Sequence, residues 1–85
     1  MGEEVVGKVT DYFAKIGVAG IQMTTGALNV GDTIRIKGHT TDVTQVVESI
    51  QLEHQSVQRA EQGKTVGIRV KDRVRKGDDV LRVTP

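Results

Sequence analysis

Apolar residues recur at every second position through most of the chain, a period that predicts strands rather than helices. The first strand is 4–13 (EVVGKVTDYF), with Val5, Gly7, Val9, Asp11 and Phe13 on one face and its apolar members inward. A short turn around Lys15 leads to a second strand at 18–24, where Ala19, Ile21 and Met23 point inward. Residues 25–32 form a loop under which Leu28 and Val30 tuck. The third strand, 33–37, places Ile34 and Ile36 inside and Arg35 and Lys37 outside. After a polar turn at 38–42, residues 43–53 read as a long fourth strand with a broken alternation. Val46, Ile50 and Leu52 share a parity with Glu48, whereas Val43 and Val47 take the other. A bulge near 47–49 reconciles the two by flipping the face midway. Residues 54–62 carry the only helical character, a short turn near 55–61. Ser56 suits its cap, Val57 and Ala60 lie three apart, and Gly63 suits the left-handed position that ends it. Strands five and six are 65–71 and 79–83.

The pattern repeats. Gly20-Ile21 answers to Gly67-Ile68 and Gly31-Asp32 to Gly77-Asp78, at offsets of 47 and 46 residues. The chain therefore reads as two related halves of three strands each. A flat sheet of six short strands would leave open edges, and closure removes them. The expected architecture is an all-β, six-stranded closed barrel formed by a single domain over 1–85. Such a barrel is narrow, so Val, Ile and Met fill its interior and recognition is left to the outer face and loops.

Composition adds limits. At 85 residues the chain buries only about 60–65% of its unfolded surface. It has no cysteine, so neither a disulfide framework nor a thiolate metal site stabilises it. No apolar run approaches the roughly 18 residues of a membrane span. The acidic start, MGEEVVGKV, lacks the features of a secretory signal, and the cytoplasm is the expected location. The net charge of +1 hides an asymmetry. Residues 1–58 hold four basic and seven acidic side chains, and 59–85 hold eight basic and four acidic.

That asymmetry directs attention to the loop 71–76, where Lys71, Arg73, Arg75 and Lys76 stand together. With the outward strand cations Arg69 and Arg35 they form a candidate phosphate-contacting patch. The competing reading is a solvated turn in which Asp72, Asp78 and Asp79 pair internally. Tyr12 and Phe13 are the only aromatic residues. Strand parity puts Tyr12 outward, either stacking on a base or covering a barrel end. His39 and His54 lack partners at metal-ligand spacing, so no metal is expected. Ser49 or Ser56 with His54 and Asp42 can be assembled into a triad on paper, but a filled barrel offers it no cleft. No enzyme activity and no cofactor are expected.

Four stretches carry a resemblance. They are VGKVTDYF followed by GVAGI, then LNVGDTIRI, then VVESIQ, and finally GKTVGIRV with VRKGDDV. Their order and spacing resemble the second domain of the translational GTPases, as in elongation factors Tu and G and the bacterial initiation factor with a GTPase core. The nearest likeness is to small standalone elongation-factor-like proteins that lack the GTPase. Gly63-Lys64-Thr65 keeps only the last letters of a phosphate loop and precedes a strand, so no nucleotide is expected. The resemblance implies a translation-related module that binds tRNA, ribosomal RNA or the ribosome. Its candidate contacts are Arg69, Lys71, Arg73, Arg75, Lys76, Arg35, Gln51 and Tyr12. Gln51 falls where the elongation-factor barrel is acidic, and either contacts a base or ribose or has no ligand. The alternative is a protein-interaction subunit of a larger enzyme, including one that modifies RNA.

Overall fold

The computed structural model describes residues 2–84. Its strands are β1 (Gly2–Phe13), β2 (Val18–Met23), β3 (Leu28–Asn29), β4 (Thr33–Lys37) and β5 (Asp42–Val46). They continue with β6 (Ile50–Leu52), β7 (Gln55–Val57), β8 (Arg59–Ala60), β9 (Thr65–Arg69) and β10 (Asp79–Thr84). Eight of them form one antiparallel sheet in the order β5-β4-β10-β1-β2-β9-β6-β7, and β3 pairs with β8 in a second. The protein is all-β, as the Val- and Ile-rich alternation requires.

Three details depart from the expected six-stranded closed barrel. The main ladder does not close, because β5 and β7 remain as its edges. The seam beside β5 is spanned by a side chain instead. The Gln45 carboxamide donates from Nε2 to the Arg69 carbonyl at 2.7 Å, and its Oε1 accepts the Lys71 N–H at 2.9 Å. It thus satisfies backbone groups that a further strand would otherwise pair. The expected helical turn near 55–61 is absent as well. Glu53 and His54 take left-handed φ of 51° and 67° and reverse the chain, so that β7 pairs back on β6. The three-residue spacing of Val57 and Ala60 is met by two short strands, one on each side of Gln58.

The third departure is a change of face in β1. Register shifts between Val5 and Gly7 opposite β10, and between Val9 and Asp11 opposite β2. Each extra residue turns the following side chains over. Val6 and Val9 therefore enter the core and Val5 stays out. Tyr12 packs against the core, whereas Phe13 is 51% exposed. In the 43–53 run the face also flips at 47–49, where pairing lapses between β5 and β6. Val43, Val47 and Ile50 are consequently buried and Val46 is not.

The two Gly-Asp turns are built alike. Gly31 and Gly77 have φ of 100° and 95°. Asp32 Oδ2 accepts the Asn29 N–H and Asp78 Oδ2 accepts the Arg75 N–H, both at 2.8 Å. Gly31 N–H donates to the Val47 carbonyl, and Gly77 N–H donates to that of Val9. Leu28 and Val74, three residues before each glycine, are both buried.

Candidate functional site

The filled interior leaves the outer face as the place for recognition, and its register sets what is presented there. Phe13, Val18 and Arg69 are successive partners across β1, β2 and β9. In the next row Asp11, Gly20, Gly67 and Gln51 are partners across β1, β2, β9 and β6. Neighbouring strands lie about 4.8 Å apart, so each row crosses the sheet at right angles to the strands. Gly20 and Gly67 project no side chain, and the second row is therefore a trough whose backbone floor is partly open at Gly67 and covered at Gly20 by Thr10 and Asp11. Gln22 and Thr65 follow on the far side, joined by a 2.6 Å hydrogen bond from Thr65 Oγ1 to Gln22 Oε1.

Two turns border this trough. The β1–β2 turn brings Phe13 and Ile16, and the β6–β7 turn brings Glu53 and His54. Between them lies a hollow of about 440 Å³ over Gly20 and Gly67. The trough continues past Val18 and Gln51 into a recess of about 320 Å³ beside Glu48, Ser49 and Arg69. It ends at the Gln45 seam, in a further hollow of about 410 Å³ bordered by Val46, Val70 and Lys71. The result is one groove, apolar at the Phe13 end and charged at the Lys71 end. Asp11 and Glu53 are the carboxylate residues at the apolar end, and no Lys or Arg lines it.

Among the described residues the ion pairs are Lys8–Asp79, Arg35–Glu3, Arg35–Asp42 and Arg59–Glu61. The Arg35 guanidinium is held by two 2.8 Å bonds to Asp42 and one of 3.1 Å to Glu3. The hydrogen bonds it donates to Asp42, then those to Glu3, raise its pKa well above the ordinary range. The same guanidinium, through its hydrogen bonds, holds the Asp42 carboxyl below its ordinary value.

The residues singled out in the sequence do not form one cluster. Arg69, Lys71 and Gln51 border the groove. Arg73, Arg75 and Lys76 are exposed on the loop before β10. Arg35 is occupied by its two carboxylates, and Tyr12 lies against the core rather than outward. Of the loop carboxylates, Asp78 accepts a backbone N–H and Asp79 pairs with Lys8, so neither neutralises the loop cations. No group of three or more potential metal ligands occurs among the described residues. No helix long and apolar enough to cross a membrane occurs among them. The groove residues that sequence reasoning missed are Phe13, Ile16, Asp11 and Glu53. The matching glycines 20 and 67 were the available signal, read as a repeat rather than as partners across two strands.

No family model matches the chain. A protein of Porphyromonas gingivalis named collagenase is 44% identical over 78 residues, a match covering 91% of this chain and 22% of that protein. A protein of Methanocaldococcus jannaschii named as an uncharacterized protease is 41% identical over 76 residues, covering 88% of this chain and 18% of that protein. The chain thus spans about a fifth of the length of the curated relatives it matches. A solved structure with the same fold is the C-terminal domain of a Geobacillus thermoleovorans protein that carries the U32 peptidase name. Its TM-score is 0.88 at 24% identity, covering 95% of this chain and 93% of that one. The selenomethionine variant of that domain gives 0.84 at 25% identity, covering 91% and 96%.

These likenesses correct the reading drawn from the translation-factor resemblance. The relatives bear peptidase names, so the elongation-factor assignment, the translation role and the RNA-binding function it implied are withdrawn. The expectation of no enzyme activity falls with them, since both relatives carry the names of proteolytic enzymes. The physical reason lies in the motifs themselves. LNVGDTIRI and VRKGDDV encode a left-handed glycine followed by an aspartate that caps its own turn. Such motifs specify a way of entering a strand and carry no information about a ligand.

Proposed function

We propose that this chain is an auxiliary β-domain of a peptidase-type enzyme, and that its groove holds polypeptide for the part of that enzyme that cleaves it. The observation that carries this reading is one of proportion. Nine-tenths of the chain matches a stretch that makes up only about a fifth of a protein named collagenase. The groove supplies the physical means. The partly open backbone at Gly67 lets an extended chain approach closely, and apolar groups at one end give it an anchor. The 85 residues act as one unit built from two related halves, a reading supported by the matching Gly-Asp turns.

The test is retention on immobilised unfolded polypeptide, with gelatin and casein as two unrelated matrices. The chain is expected to bind both and to elute with soluble gelatin peptides. Phe13→Ala is expected to weaken retention while leaving the melting temperature nearly unchanged, because that ring is exposed. Passage of the folded parent chain through both matrices without delay would refute the reading.

A further inference from the structure

We propose that the groove selects an apolar side chain that has a lysine or arginine beside it. This rests on the polypeptide-holding reading above and names what that polypeptide must contain. The large exposed hydrophobic residues are Val5, Phe13, Ile16 and Val46. Three of the four border the groove, with Phe13 and Ile16 together at one end and Val46 at the other. Ile16 is 61% exposed at the tip of a turn, where nothing in the fold requires an apolar residue. Covering it and Phe13 with an aliphatic or aromatic side chain removes apolar surface from water, the dominant favourable term in such contacts.

Charge defines the neighbour of that side chain. Asp11 and Glu53 stand at the rim of the apolar hollow with His54, neither carboxylate belongs to an ion pair among the described residues, and no Lys or Arg lines the hollow. A ligand cation there meets two carboxylates, and a ligand carboxylate meets repulsion. The Glu53 position is held at a backbone cost. Glu53 and His54 both adopt the left-handed conformation that Asn-Gly would take with little strain. The turn thus keeps a charged side chain at the rim where a more stable sequence would remove it. At the opposite end Arg69 and Lys71 accompany Glu48, so the cation preference belongs to the Phe13 end alone.

The experiment is fluorescence anisotropy with the full chain and short labelled peptides of Gly and Ser that differ at two central positions. The pairs are Leu-Arg, Leu-Glu and Gly-Arg. Leu-Arg is expected to bind about fivefold tighter than Leu-Glu, the scale of a partly screened charge contact. It is expected to bind about tenfold tighter than Gly-Arg, for the lost apolar burial. In a chain carrying Asp11→Asn and Glu53→Gln, the preference for Leu-Arg over Leu-Glu should vanish. In Phe13→Ala both leucine peptides should weaken while the charge preference persists. Thermal melts of each variant establish that it is folded. Equal affinity of the parent for Leu-Arg and Leu-Glu would overturn the proposal, as would a preference that survives in the double variant. If the parent is retained on gelatin yet treats the two peptides alike, the selectivity is wrong and the auxiliary-domain reading stands. If it binds neither gelatin nor any peptide, both fall.

Discussion

Gly38 lies against the carboxylate of Asp78, which is buried and accepts the Arg75 N–H. A Cβ at position 38 would overlap Asp78 Oδ1, and the carboxylate is fixed by its turn. Gly38→Ala is therefore expected to lower stability by about 2 kcal/mol or more, the range for overpacking and for disturbing a buried polar group. An unchanged urea midpoint would show that the Asp78 turn yields freely. A second residue-scale effect depends on pH. The hydrogen bonds from Arg35 lower the Asp42 pKa in the folded state. A depressed carboxyl contributes stability that is present above the unfolded value of about 3.9 and is lost as pH falls through the folded one. Asp42→Asn should accordingly lose less stability on acidification than the parent, while Arg35 stays charged throughout. Denaturant midpoints measured from neutral to acidic pH check this, and parallel acid limbs for parent and variant would contradict it.

The element with the clearest internal tension is the β6–β7 hairpin. Its two-residue turn needs positive φ at both positions, yet Glu53 and His54 occupy them. Replacing them by Asn and Gly is expected to raise stability by about 1–2 kcal/mol, because a left-handed conformation strains residues with larger side chains. The same change removes a rim carboxylate, so retention of arginine-bearing peptides should fall as the melting temperature rises. A variant with no gain in stability would mean that tertiary contacts already relieve the turn. This hairpin also marks the limit of what the sequence discloses. Val57 and Ala60 suggested a helical turn because three-residue spacing does not separate a helix from two short strands with a kink between them. The strands at 18–23, 33–37 and 65–69 were legible, since each alternates without interruption. The faces of β1 were not, because a bulge moves no apolar residue along the sequence and still exchanges Val5 for Val6 and Phe13 for Tyr12. The groove stayed hidden for a related reason. It depends on Gly20 and Gly67 facing each other across two strands, a register that only strand pairing fixes.

At the scale of the molecule, stability and recognition occupy opposite faces of one sheet. Val66 and Ile68 carry β9 into the core, while Gly67 between them faces the groove. A side chain at 67 would first meet Val18 Cγ1 at 3.2 Å, a methyl that must give by a few tenths of an ångström on a side chain that is only partly buried. Gly67→Thr should therefore fit after a small shift of Val18. It should also favour the extended backbone, since a β-branched residue suits a strand better than glycine does. The groove would nevertheless lose its floor, because the new side chain stands where an extended polypeptide must lie. The expected outcome is a melting temperature equal to or above that of the parent, with retention on gelatin and casein abolished. Loss of both properties would mean that position 67 supports the fold and not the groove. Unchanged retention by a folded Gly67→Thr chain would place the binding surface away from the Gly20–Gly67 trough, since no polypeptide can lie across that backbone once it is covered.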